Sequence, residues 1–217
     1  MKHWKPALIA ALWSGALYAA PIPAVASFSI LGDVAQQIAG ERVAVQSSVG
    51  ATQDPHAYNL TSSDIKKIRE ARLVLLNGLG LEKAELQRAV KQSKVASAEA
   101  TAGIKPLAAD EHHHEHNHGH DHDHGEFDPH VWNDPVLMQR YAANVAIALI
   151  KADPAGSRYY QQRFKDYQHV LNQLNNYANQ QFGAVAPAKR KVLTGHDSFA
   201  YLGKRYQVKF ISPQGVS

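Results

Sequence analysis

Two apolar stretches, VAVQSSV at 43–49 and LVLL at 73–76, read as buried strands, and they alternate with stretches whose apolar residues recur at helical spacing. Thr61 stands three residues before Asp64, the spacing of a capping box, so a helix is expected over 63–71 with Ile65 and Ile68 on its inner face. A second helix should begin near Glu82 and a third, strongly apolar one should span about 135–152. Asp153 followed by Pro154 reads as an N-cap and a first-turn proline, and the next proline is Pro187. Between them Tyr160, Phe164, Tyr167, Leu171, Leu174 and Tyr177 recur every three or four residues, predicting one helix over about 154–182, roughly 43 Å long. That length exceeds one small lobe and, with no glycine or proline between Ser157 and Phe182, suggests a stiff spine joining two. A coiled-coil partner helix is the alternative, disfavoured by an unsteady heptad. Strands at 191–194 and 208–212 resume the alternation beyond the spine, so the class is α/β with parallel-type sheets.

The first 20 residues do not belong to this pattern. Lys2 and Lys5 precede an apolar run of about 14 residues, too short to span a bilayer but right for a secretory signal. Ala24-Val25-Ala26 offers a small-x-small cleavage site, whereas cutting after Ala19 would spare PIPAVASFSI, which reads as a first strand; processing is therefore placed between 19 and 26. The sequence contains no cysteine, which excludes a disulfide framework and the cysteine a lipid-anchored precursor needs after its signal. A soluble, periplasmic, monomeric product is expected. Losing Lys2 and Lys5 lowers the formal charge from +4 to +2, with the remaining charges well mixed, so nucleic acid is not an implied partner. No second apolar run approaches membrane-spanning length.

The chemistry is concentrated in histidine. Eight of the 13 histidines (His112, His113, His114, His116, His118, His120, His122 and His124) fall within EHHHEHNHGHDHDHG at 111–125. The tract has no hydrophobic residue and reads as a loop that attracts divalent metal weakly and at many points. An engineered tag would sit at a terminus, and this tract interrupts patterned sequence on both sides. Outside it and the signal, His56 lies in QDPH and His130 in FDPH, so two histidines follow Asp-Pro in distant parts of the chain; His196 opens HDSFAYL just after an expected strand. All three stand at strand ends or loop starts, where an α/β fold gathers ligands. Taken singly, each would more often be a structural histidine. Their shared contexts favour a neutral three-imidazole site for a borderline cation such as zinc, with a carboxylate or water in fourth place. His169 lies among polar neighbours in the long helix and reads as surface.

At these residues the chain resembles the metal-binding receptors of bacterial zinc and manganese ABC importers, the ZnuA-type or cluster A-I solute-binding proteins. The resemblance runs through SFSILGD at 27–33, DPHAY at 54–58, SDI at 63–65, NGLGLE at 77–82, DPHVW at 128–132, HDSFAYL at 196–202 and PQGVS at 213–217. It implies two α/β lobes bridged by a long rigid helix: a first lobe over 27–152, a linking helix over 153–186 and a partial second lobe over 187–217. It also implies that His56, His130 and His196 are the tight metal ligands, and His196 in place of glutamate favours zinc over manganese. PQGVS resembles the middle of the family's second lobe; relatives continue beyond it and supply an aspartate as fourth ligand, so an incomplete second lobe is expected. The glycines of 77–82 lack the lysine of a phosphate loop and read as a structural turn.

The function expected is capture of zinc, with manganese as a second cargo, and its delivery to an inner-membrane ABC permease, without catalysis. A histidine-rich zinc buffer or metal-binding cell-adhesion protein is the first rival, and a three-histidine zinc hydrolase the second, weakened by the lack of HExxH or a nucleophile motif. The tract should be an accessory, since a mobile segment loses entropy on binding and imposes no single geometry. Deleting 111–125 should lower zinc stoichiometry in a titration while leaving the Kd of the tightest site within about tenfold; complete loss of tight binding would make the tract the principal site.

Overall fold

The computed structural model describes residues 20–109 and 126–212; the signal segment 1–19, the histidine tract 111–125 and the PQGVS motif at 213–217 lie outside the described residues. Four parallel strands form the first sheet: β1 (Ile22–Phe28), β2 (Val43–Val49), β3 (Leu73–Leu76) and β4 (Ala96–Glu99), in the order β2-β1-β3-β4. Their side chains alternate between two cores. Ala24, Ala26, Phe28, Leu73 and Leu75 face helices α1 (Ser29–Ala39) and α4 (Leu137–Ala152), while Val25, Val74 and Leu76 face α2 (Ser62–Glu70) and α3 (Ala84–Ser93). A parallel sheet covered on both faces accounts for the unbroken apolar run LVLL.

Helix α2 starts on the expected capping box, with Thr61 Oγ1 accepting the Asp64 N–H and the Asp64 carboxylate accepting the Thr61 N–H. The 77–82 segment is the expected turn, and its construction is specific. Gly78, Leu79 and Gly80 take φ of 87°, 57° and 81°, turning backbone N–H groups inward. The buried Glu82 carboxylate accepts from the Asn77 and Gly78 N–H groups at 2.6 and 3.0 Å and from Ser27 Oγ at 2.7 Å. The chain's own carboxylate thus fills the anion-holding concavity that a glycine-rich loop creates.

The long helix, α5 (Ser157–Gly183), is continuous over 27 residues, or about 40 Å. One expectation about it needs correction. Asp153 does not cap it: a 3-10 turn at Pro154–Gly156 intervenes, and the Asp153 carboxylate is taken by Arg42 Nη2 at 2.7 Å and Tyr160 Oη at 2.6 Å. This pairing holds the Asp153 carboxyl below its ordinary range against the opposing effect of burial. The apolar stripe also changes character along the helix. Tyr160 and Leu171 are buried against α1 and α4, but Leu174 and Tyr177 are 49% and 61% exposed.

Beyond α5, β5 (Lys191–Leu193) and β6 (Lys209–Ile211) form a second parallel sheet, connected through α6 (Ala200–Tyr206). The two parallel sheets and the long helix between them establish the α/β class.

Strand β1 runs across the expected lobe boundary at 27. Its residues Ala24, Val25 and Ala26 are at most 3% exposed and pair with strands on both sides. A chain beginning at Ala20 should therefore unfold in one cooperative thermal transition, and one beginning at Ser27 should lose that transition; equal melting curves would show that β1 is dispensable.

Candidate metal centre

The ligand loops leave the strands at the same edge of the structure. His56 lies in the loop after β2, and His130 in the connection between β4 and α4. His196 lies between β5 and α6. The two Asp-Pro-His segments fold alike: Asp54 Oδ1 accepts the His56 N–H and Asp128 Oδ1 accepts the His130 N–H, each at 2.9 Å. Such an aspartate-closed turn suits a residue held extended by the following proline. The resemblance ends at the rings. Asp128 Oδ1 also lies 2.6 Å from His130 Nδ1 in a site where both residues are 2% exposed. An Nδ1–H donated to this carboxylate leaves the Nε2 lone pair aimed outward, the arrangement that makes a histidine a good ligand. Trp132 supports the His130 ring edge-on at 5.1 Å and is itself packed on Phe28 at 4.9 Å.

His130 is the centre of the cluster. Its Nε2 is 3.1 Å from His56 Nε2 and 3.3 Å from His196 Nε2, and the ligand atoms of all three lie within 4.8 Å of one another. Nitrogens about 2.0–2.1 Å from a tetrahedral ion are separated by roughly 3.3 Å, so two edges of the cluster already match that geometry. Among the described residues, no fourth side chain belongs to this group. His56 and His196 are poised to be neutral. Burial, followed by the neighbouring His130, pushes His56 down from 6.5 to about 4, and the same two causes lower His196.

All three tight-site residues expected from sequence are brought together, over separations of 74 and 66 residues. The eight tract histidines lie outside the described residues, and His169 is exposed on α5, as expected. Sequence reasoning passed over the supports. Lys83 Nζ reaches Ala57 O at 3.1 Å and Tyr58 Oη donates to the buried Asp64, tying down the His56 loop from two directions. Tyr58 and Asp64 stood within recognised motifs, but their pairing depends on where α2 packs.

Three imidazoles meet where the two α/β units adjoin, a donor set that could hold a metal ion. The chain belongs to the family of the periplasmic zinc-uptake complex component A, ZnuA, whose model matches residues 24–217. It is 32% identical over 184 residues to the manganese ABC transporter substrate-binding lipoprotein PsaA of Streptococcus anginosus, covering 85% of this chain and 59% of that protein. It is 30% identical over 193 residues to the zinc-binding protein TroA of Treponema pallidum, covering 89% and 60%. The solved structure of periplasmic zinc-binding TroA superposes with a TM-score of 0.79 at 28% identity, over 90% of this chain and 68% of that one. The chain thus spans about 60% of the length of these curated relatives. PsaA is named a lipoprotein, whereas no cysteine occurs in these 217 residues.

Because the folded metal-free chain keeps His56 neutral down to about pH 4 while an unfolded imidazole protonates near 6.5, the unfolded state binds more protons in that interval. The stability His56 contributes is present above pH 6.5 and is lost as pH falls toward 4. Proton competition for metal at His56 likewise sets in near pH 4, lower than an unperturbed histidine would suggest. The melting temperature of the metal-free protein should therefore fall between pH 7 and 5, and His56→Ala should flatten that fall. Asp128→Ala should weaken zinc binding by about 10- to 100-fold, the usual effect of removing the group that orients a ligand histidine. An unchanged Kd would show that Asp128 does not orient the ring.

Proposed function

We propose that this protein is a periplasmic solute-binding receptor that captures zinc and delivers it to an inner-membrane ABC permease. The observation that carries this reading is the approach of His56 and His196 to His130 at separations suited to one ion, by side chains drawn from both sides of the long helix. The relatives are named as substrate-binding components of transporters, a role without catalysis. In this reading residues 1–19 supply the export signal, 22–152 the first lobe, α5 the linker, and 191–212 the part of the second lobe in hand. Among the described residues no helix is long and apolar enough to cross a membrane.

Zinc is preferred over manganese on ligand chemistry. Relatives carry both names, manganese for PsaA and zinc for TroA. Three imidazole nitrogens suit zinc, whereas manganese is held better by carboxylate and carbonyl oxygen and stands lowest in the affinity order of the divalent metals. The histidine tract would gather metal by weak, multiple binding.

Competition titration tests both points. Zinc should occupy one tight site and be displaced by manganese only at an excess of about 100-fold or more, given the donor set. His56→Ala, His130→Ala and His196→Ala should each weaken that site, and His169→Ala should leave it unchanged. Manganese binding as tight as zinc would overturn the zinc assignment, and equal effects at all four histidines would overturn the site.

A further inference from the structure

His130 and His196 face each other across 66 residues of sequence. Helix α5 meets α6 through the Phe182–Tyr206 stack at 5.1 Å and the Tyr206 Oη bond to Asn175 Oδ1 at 2.9 Å, contacts that do not involve the segment around His130. Three side-chain connections cross between the two segments that carry these histidines. Tyr201 Oη donates to Asp128 O at 2.6 Å and accepts the Leu107 N–H at 3.0 Å. Asn133 Nδ2 donates to Ser198 O at 2.6 Å, two residues from His196. Arg205 Nε lies 2.9 Å from Asp134 Oδ2 and 3.1 Å from Oδ1, while its Nη2 is 2.9 Å from Oδ2.

These contacts share a geometry. Tyr201 and Arg205 are four residues apart on α6 and so lie on one face, presented to the 128–134 segment. Asp134 is 3% exposed and also accepts the Val136 N–H at 2.8 Å near the start of α4, so its position is fixed from the first-lobe side. A buried carboxylate paired through the guanidinium fork of arginine is a directional joint that a point charge reproduces poorly. Tyr201 touches the backbone of Asp128, the residue whose carboxylate holds the His130 ring.

We propose that Tyr201, Asn133 and Arg205 form a latch that holds the His196 loop at ligand distance from His130 and so sets the affinity of the tight site. They act as positioning residues and touch no metal. The proposal rests on the reading of the three histidines as the cargo site. Loosening the latch lets α6 swing, and a ligand misplaced by about an ångström loses most of its contribution to binding. His56 and His130 would then hold the ion without their third partner.

A zinc titration of Arg205→Ala in two backgrounds separates positioning from general structural damage. In the otherwise native chain Arg205→Ala should raise the zinc Kd by about tenfold, the lower end of the range for groups that orient ligands. In a His196→Ala chain the same substitution should change it by less than about twofold, because the ligand it positions is gone. Tyr201→Phe, which removes only the hydroxyl, should behave in the same way, and Arg205→Lys should restore part of the loss. An equal factor in both backgrounds, or no factor in either, overturns the latch.

A metal-independent readout keeps this test distinct from the test of function. With no native cysteine in the sequence, spin labels can be placed on cysteines introduced at the exposed positions Lys66 and Lys204. The distance distribution of the metal-free protein should be narrow, and Arg205→Ala should broaden it. Should the native chain fail to bind zinc tightly, the receptor reading falls while the labels still decide the latch: broadening supports it and an unchanged distribution overturns it.

Discussion

A parallel sheet buried on both faces has only its strand ends left for polar chemistry, and this constraint organises the protein. Strands β1 and β3 contribute Ala24, Ala26, Leu73 and Leu75 to one core and Val25, Val74 and Leu76 to the other, so neither face has room for a ligand. What remains is the edge where connections leave the strands. The His56 loop, the 77–82 turn and, beyond the long helix, the His196 loop all arise in such connections. The loops do not wander because each is fastened by a buried or half-buried polar group: Asp64 for the first, Glu82 for the second, and Asp134 through Arg205 for the third. The rigid scaffold supplies location, and a few carboxylates supply orientation.

Those carboxylates also divide the electrostatic labour. Asp128 lies against the Nδ1 side of His130 and leaves the opposite nitrogen for metal. The cleft itself presents nitrogen, and the desolvation that lowers His56 to about 4 keeps it unprotonated without a metal. Imidazoles kept neutral in this way would release few protons on binding a metal ion at neutral pH. Imidazole donors favour a tetrahedral ion, and a donor set richer in oxygen would shift the balance toward manganese. The coexistence of manganese-named and zinc-named relatives at similar identity accords with a scaffold in which a few donors choose the metal.

Much of this was legible in one dimension, for identifiable reasons. Strands β2 and β3 were readable to the residue because their apolar runs are short and bounded by turn-forming or polar sequence. Helix α2 announced itself through Thr61 and Asp64, a local device whose partners are three residues apart. His56 and His130 were conspicuous because both follow Asp-Pro, and the two turns did fold alike. Where several side chains compete for one group, local reading failed. Asp153 looked like a helix cap, but Arg42, 111 residues away in sequence, takes its carboxylate instead.

The sequence by itself determined the strands at 43–49 and 73–76, the helix opened by Thr61, the long helix, that the chain is α/β, and which three histidines were candidates, since each of these rests on periodicity or on neighbours a few positions apart. Only the tertiary structure decided how the candidates differ. It made His130 the central histidine of the cluster, with Asp128 and Trp132 against its ring, while Asp54 closes its turn on the His56 N–H. It set the His56 and His196 nitrogens 3.1 and 3.3 Å from His130 and shifted their protonation by burial. It buried Tyr160 and Leu171 of the apolar stripe and left Leu174 and Tyr177 exposed. The reason is common to all of these: distance, desolvation and competition for a donor are properties of groups that meet in space, and the residues that meet here are separated by tens of positions along the chain.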